Sequence, residues 1–337
     1  MAIRETRCVG RIGSIKIRLS GGASWLYNLF HRLTEKLIRP KLEGKICDAV
    51  RSDGIYTANR ELRTMPVSFQ FGPKKQWLLD YSLSSIVFAP GYLQASLKGK
   101  FSIRGDSTEA PFQPSSLSSP PPTQSRMVTF WISDYVFNTA AYAVHKSGML
   151  QYTLTRNALP NDQKDRFNTT CSFLYGCLGI VMPQVGEKYP GSFIEVEAST
   201  TESPIAIISK QNINVVFVGS LAFRARLQDD SLVDLFNINA VLNVSLVLRF
   251  EERAIKATVS SVNQTMTLGN SSVGSVNVQL MQFVIDIIKK QFIIPKLNEA
   301  IKRGLPIPAT KNVKLLRPQL LLGKNYVQLS TNVKYKA

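Results

Sequence analysis

Arg32, Lys36 and Arg39 recur at helical spacing along one side of a segment whose other side carries Leu26, Leu29, Phe30, Leu33 and Leu37. The chemistry open to such a row is anion capture. Guanidinium groups make charge-assisted, often bidentate bonds to phosphate oxygens, and ammonium groups act as point charges. The row sits in a basic chain: the formal net charge is +18 over 337 residues, and residues 1–105 alone carry 18 basic against 7 acidic side chains. A field of that sign attracts polyanions, whether nucleic acid, anionic membranes or phosphorylated glycolipids, and charge does not choose among them. The plain alternative is a basic surface that serves solubility alone.

Other reactive side chains lack a pattern that would make them act together. There is no nucleophile elbow, phosphate loop, metalloprotease helix or deaminase-like cysteine pattern, so no catalytic residues are expected. His31 and His145 stand apart, and no metal set is expected. The four cysteines, Cys8, Cys47, Cys171 and Cys177, have neither CxxC spacing nor a zinc framework. They are compatible with two disulfides or with four buried thiols. Cys8 and Cys47 flank the first long helix, and Cys171 and Cys177 are near enough in sequence to close a small loop. Four sequons, at Asn168, Asn243, Asn263 and Asn270, favour passage through the secretory pathway. The opening MAIRETRCVGRIGS lacks the apolar core of a secretory signal, which an incomplete gene product or an alternative start would reconcile with the sequons.

The elements that must position these residues follow from hydropathy. An apolar content of 44% with 19% charged residues suits a folded chain, and the length accommodates two ordinary domains. LIRPKLEGKI at 37–46 returns as FIIPKLNEAI at 292–301, each inside a long apolar-periodic segment. In the second, Leu280, Val284, Ile287 and Ile288 keep the helical period, and Asp286, Lys289 and Lys290 argue against a membrane span. Each copy reads as an amphipathic helix, bent or interrupted at Pro40 or Pro295, with a further turn ending at Ile46 or Ile301. Ser275 or Asn277 is placed to cap the second helix.

Alternation predicts strands at 14–19, 65–72 and within 78–104, most clearly LQASLKGKFSI at 93–103. Further candidates are 127–132, 149–155, 193–198, 206–208, 214–218, 240–250, 255–259 and a closing segment from 313 to 335. Between Asp106 and Arg126, five prolines and six serines predict an extended connection. Mixed, mostly antiparallel strands with a long helix late in each half make an α+β protein.

Three stretches together, SIKIRLSGGASWLYNLFHRLTEKL (14–37), RMVTFWISDYVFNTAAYAVHKSGML (126–150) and FIIPKLNEAIKRGLPIP with the strands after it, resemble the bactericidal/permeability-increasing and lipopolysaccharide-binding protein family, which includes plasma lipid-transfer proteins. The resemblance implies an elongated two-domain lipid-binding fold with antiparallel barrel-like sheets and long amphipathic helices, the first domain incomplete. On it, residues 1–105 are a partial amino-terminal lipid/lipopolysaccharide-binding domain, 106–126 a proline/serine-rich linker, and 127–337 a carboxy-terminal lipid-binding domain. It implies a Cys8–Cys47 disulfide. It also implies lipid A phosphate contacts from Lys16, Arg18, Arg32, Lys36, Arg39 and Lys41. Trp25, Leu26, Leu29, Phe30, Leu280, Val284, Ile287 and Ile288 then contact acyl chains or fill the core.

The function so implied is noncatalytic binding of lipopolysaccharide in antibacterial innate immunity, by a secreted glycoprotein with a bound phospholipid and no cofactor. Its partners are bacterial lipopolysaccharide, phospholipid and anionic membrane surfaces, with nucleic acid the poorer reading. The alternatives are a phospholipid-binding or lipid-transfer protein without bactericidal action, and a regulatory truncated isoform.

Overall fold

The computed structural model describes residues 4, 7–15, 31–64, 67–72, 74–114, 117, 126–172, 176–279, 281–302, 304–307 and 312–335. The chain divides into two compact units, 1–66 and 67–337.

In the first unit a short arm, 7–15, accompanies a long helical run. The run begins as α1 (His31–Ala49), passes through a π-helical stretch at Val50–Ile55 and continues as α2 (Tyr56–Thr64). The expected stop at Ile46 is therefore corrected. Pro40 lies inside α1, removing one backbone donor, and the helix runs on past it. A crosslink within the last turn of α1, described below, holds that helix from outside. Of the strand expected at 14–19, Ser14 and Ile15 are irregular and the rest lies outside the described residues.

The second unit is α+β and rich in sheet. Its first elements are β1 (Ser68–Phe71), β2 (Trp77–Asp80), β3 (Leu83–Ala89), β4 (Tyr92–Leu97) and β5 (Lys100–Ile103). β1, β2 and β5 form one antiparallel sheet, and β3 and β4 form a separate hairpin. The continuous strand expected at 93–103 is broken at Lys98–Gly99. Gly99 has φ +58°, and a Cβ there would stand 3.0 Å from a methyl of Val136, so the chain turns where only glycine fits. The described residues of the proline/serine-rich connection, 106–114 and 117, have no helix or strand.

Next come β6 (Val128–Ser133), α3 (Asp134–Lys146) and β7 (Gln151–Leu154). The short helices α4 (Leu178–Val181) and α5 (Pro183–Lys188) precede β8 (Phe193–Thr200), β9 (Ile205–Ile208) and the long strands β10 (Ile213–Arg226), β11 (Leu232–Glu251) and β12 (Ala254–Ser271). α6 (Gln282–Ile288), a π-helical stretch at Lys289–Ile293 and α7 (Ile294–Ile301) lead to β13 (Leu305–Pro306), β14 (Val313–Gly323) and β15 (Tyr326–Tyr335). The order in the large sheet is β13-β12-β11-β10-β8-β7, with β9 also on β10, and β14-β15-β6 forms a third sheet. All these pairings are antiparallel.

The long strands have a core at each end. At one, Leu221, Phe223, Leu235, Phe236 and Ile238 meet Leu178 and Val185 of the short helices, Met182 between them, Met281 just before the late helix, and Ile285 and Ile288 within it. At the other, Ile213 and Ile255 meet Val327 and Leu329 of β15. A third cluster seats β1-β2-β5 on α3 through Leu79, Phe101, Val136 and Ala143. Polar ties reinforce it: the Phe101 amide donates to Thr139 Oγ1 at 3.1 Å, and the Trp77 indole donates to Ser147 Oγ at 2.8 Å.

The late helical segment consists of short pieces, α6, the π-helical stretch and α7, and ends at Ile301 as expected. It starts at Gln282, and neither Ser275 nor Asn277 caps it; Asn277 Oδ1 accepts from the amide of Gln279 at 3.0 Å, closing a turn before the helix. The π-helical stretch leads directly into Pro295, whose missing N–H removes one backbone donor at its junction with α7.

Candidate functional site

The arm and α1 are joined at three levels. Cys8 and Cys47 form a disulfide with their Cα atoms 5.7 Å apart. Next along the arm, Gly10 approaches the carbonyl of Glu43 so closely that a Cβ would lie 2.8 Å from its oxygen, so only glycine permits the contact. The amide of Ile12 donates to Glu43 Oε1 at 2.9 Å, and Arg39 Nη2 reaches the carbonyl of Gly13 at 3.5 Å. The arm thus runs antiparallel to the helix, matching Cys8 with Cys47 and Gly13 with Arg39.

Its residues alternate. Cys8, Gly10 and Ile12 are half-buried against the helix, while Arg7, Val9 and Arg11 are exposed. At about 3.6 residues per turn, Lys36, Arg39, Glu43 and Cys47 fall on the stripe of α1 that bears the arm, whereas Lys41 and Lys45 lie roughly 140° and 180° round the axis from Lys36. The structure therefore lays two exposed arginines that sequence reasoning missed, Arg7 and Arg11, on an arm that runs along the same side of α1 as Lys36 and Arg39, and sets Lys41 on another side. The missed signal was the period-two run RCVGRIG, too short and glycine-rich to read as an element. Among the described residues no carboxylate pairs with Arg7, Arg11, Lys36, Lys41 or Lys45. Glu43 spends one carboxylate oxygen on the Ile12 amide. Lys16 and Arg18, the side chain of Arg32, and Trp25, Leu26, Leu29 and Phe30 lie outside the described residues.

The apolar residues expected in the late helix divide differently. Leu280 and the side chain of Val284 lie outside the described residues, Ile288 is buried, and Ile287 packs against the same cluster. That cluster is a filled core containing a Phe223–Phe236 stack at 4.5 Å. At its margin Lys289 Nζ donates to Gln264 Oε1 at 3.0 Å and pairs with Asp286 at 2.8 Å. A depression of about 190 Å3 lies elsewhere on the sheet, lined by Thr201, Val218, Gly219, Asn239, Ala240, Val241, Thr265 and Thr267, below the roughly 300–1,000 Å3 usual for a ligand site.

Both disulfides are formed, the second between Cys171 and Cys177. Asn243 and Asn263 are directly opposed across β11 and β12, and both are exposed, as is Asn270. Asn168 is half-buried, its Nδ2 donating to Asp165 Oδ1 at 3.2 Å. Among the described residues, no three His, Cys, Asp or Glu side chains converge as a metal site would require, and no helix is long and apolar enough to cross a membrane.

The family description "LBP / BPI / CETP family, C-terminal domain" matches residues 74–335. A bactericidal permeability-increasing protein of Sebastes schlegelii is 28% identical over 334 residues, covering 99% of this chain and 68% of the relative. A lipopolysaccharide-binding protein of Bos taurus is 29% identical with the same coverage. The crystal structure of a lipopolysaccharide binding protein superposes with a TM-score of 0.57 at 26% identity, covering 94% of this chain and 68% of that one. With three quarters of its length inside the matched region, this chain belongs to the LBP/BPI/CETP family, whose members are noncatalytic.

Proposed function

We propose that this protein binds bacterial lipopolysaccharide in antibacterial innate defence, and that the arm-and-helix face of the first unit receives the lipid A phosphates. The observation that carries this reading is the disulfide-clamped arm, which carries exposed Arg7 and Arg11 along the side of α1 that bears Lys36 and Arg39, with no competing ion pair at Arg7, Arg11 or Lys36 among the described residues. Lys16, Arg18 and Arg32, adjoining that stripe in sequence, extend the cation set, and Lys41 contributes from a second side. Each exposed cation adds little alone, about 0.2–1 kcal/mol. Apolar burial of acyl chain adds roughly 0.8 kcal/mol per CH2, so charge sets approach and orientation while acyl contact sets residence. The name of the bovine relative supports the same ligand. Phospholipid binding, secretion and glycosylation at Asn168, Asn243, Asn263 and Asn270 belong to the same proposal.

The test is binding of the purified chain to lipid A, to neutral phosphatidylcholine vesicles and to DNA, at several salt concentrations. The expected result is saturable lipid A binding, preferred over both comparators and partly retained at high salt. Replacing Arg7 and Arg11 by alanine lowers it by roughly 2- to 30-fold. Equal binding to all three ligands, or none by a folded monodisperse chain, overturns the proposal.

A further inference from the structure

The β3–β4 hairpin makes no pairing with any other described strand. Its register places Phe88 opposite Leu93, Ile86 opposite Ala95 and Leu83 opposite Leu97, which gathers six apolar residues on one side. That side is uncovered towards the tip: Phe88 is 77% exposed and Leu93 57%, with Leu97 also exposed. Val87 and Tyr92, on the other side, are exposed too. From Tyr81 to Leu97 there is no charged residue, and the charges that flank the stretch, Asp80 and Lys98, pair with each other at the base at 3.4 Å. The turn is Pro90–Gly91, with Gly91 at φ +87°, the arrangement of a tight type II turn.

An apolar, uncharged tip on a unit with 28 basic and 17 acidic residues has two candidate occupants on physical grounds, a second copy of the chain or a lipid surface. Area decides between them. Strands of 7 and 6 residues offer a face of roughly 230 Å2 at about 3.3 Å per residue and 10 Å width. Two such faces together fall well below the ~1,000 Å2 that a specific interface needs. A bilayer sets no such threshold, and its anionic headgroups complement the basic body. Neither strand pairs with a further described strand, and backbone groups left without a strand partner would be unsatisfied in hydrocarbon, so insertion is confined to the tip, roughly 5–10 Å into the headgroup and acyl boundary.

We propose that the tip of the β3–β4 hairpin, Val87 to Leu93, inserts shallowly into anionic phospholipid bilayers as an anchor separate from the lipid A phosphate contacts of the arm. This deepens the lipid-binding reading and rests on it. The experiment is flotation of the full chain with vesicles of phosphatidylcholine and phosphatidylglycerol, compared with the Phe88→Asp/Leu93→Asp variant and with the Arg7→Ala/Arg11→Ala variant. A Phe88→Trp variant reports depth through quenching by brominated lipid. The tip side chains are exposed, so the aspartate variant keeps the parent circular dichroism and melting midpoint.

Expected are at least about a tenfold loss of vesicle binding in the aspartate variant, retained lipid A binding there, and quenching of the Phe88→Trp indole only by bromines near the headgroup. Unchanged vesicle binding in the aspartate variant overturns the anchor while leaving the lipid reading in place. Loss of self-association in that variant without loss of vesicle binding overturns it in favour of a second copy. A parent chain that binds neither vesicles nor lipid A overturns the anchor and the lipid reading together.

Discussion

Cutting the Cys8–Cys47 bond isolates what holds the cationic arm in place. The bond joins residues 39 positions apart. In the chain-entropy account, closing a loop of that length disfavours the unfolded state by about 4 kcal/mol, against about 2 kcal/mol for a loop the size of Cys171–Cys177. Without it, the described polar ties between arm and α1 are the Ile12–Glu43 bond and the long Arg39–Gly13 contact, each contributing about 1 kcal/mol or less. The Cys8→Ser/Cys47→Ser variant should therefore release the arm. Amide exchange in α1, followed by mass spectrometry of peptides from 31–49, accelerates by up to about 10³-fold, since 1.4 kcal/mol is tenfold. Peptides from β10 and β11 keep their protection, and lipid A affinity falls because Arg7 and Arg11 no longer share a surface with Lys36 and Arg39. If α1 exchanges equally fast in the parent and the double-serine variant, the disulfide does not hold the site and the reasoning fails.

Three further outcomes follow from the second unit. Phe223→Ala removes a 1%-exposed ring stacked on Phe236 and lowers unfolding stability in urea by about 3–5 kcal/mol, whereas the exposed Phe88→Ala changes it by no more than about 0.5 kcal/mol; equal effects would sink the core assignment. The Asp106 carboxyl is held well below the usual range by its bond to Thr108 and then by Lys146 at 2.9 Å. A carboxyl depressed on folding stabilises above its unfolded value and loses that contribution as pH falls through the folded one, so pepsin cleavage beside Phe112 should rise below about pH 4. Asp106→Asn should be cut readily at every pH tested, and a parent-like pH profile in that variant contradicts the account. Finally, native-state glycosidase treatment of secreted protein should free sugar from the exposed Asn243 and Asn263 sooner than from Asn168, which is half-buried and bonded to Asp165; the reverse order would mean that the faces are misassigned.

Much of this architecture is written locally, and the exceptions have physical causes. The closing hairpin, β14 and β15, and the short strands β6 to β9 follow from alternation. β10 to β12 run much longer than the apolar stretches that announce them, because outward positions such as Ser220, Asn239, Asn243 and Thr265 interrupt hydropathy while continuing the strand. α3 escaped reading because two positions on its buried side are polar: Asn138 accepts the amide of Ala206 at 2.7 Å, and Thr139 accepts that of Phe101. A side chain whose partner is more than thirty residues away looks like surface until the partner is known. In the candidate site, the Lys36 and Arg39 stripe was legible from period alone. The separation of Lys41 follows only once α1 is seen to continue past Pro40, and the contribution of Arg7 and Arg11 depends on a crosslink that composition leaves open.

The pairing of β6 with β15 bears on how this protein is made. Thr129 and Ser330 lie side by side, 201 positions apart. At a synthesis rate of about 5–20 residues per second, β6 waits roughly 10–40 s for its partner to exist. During that interval the hairpins of β10, β11 and β12 can close on their own short turns, whereas VTFWIS remains an open apolar edge of the kind that recruits other chains. An apolar edge held open for that long is the kind of surface that chaperones shield. A premature stop before Tyr326 would leave the large sheet able to form but β6 permanently unpaired, giving an aggregating product rather than a shorter working one.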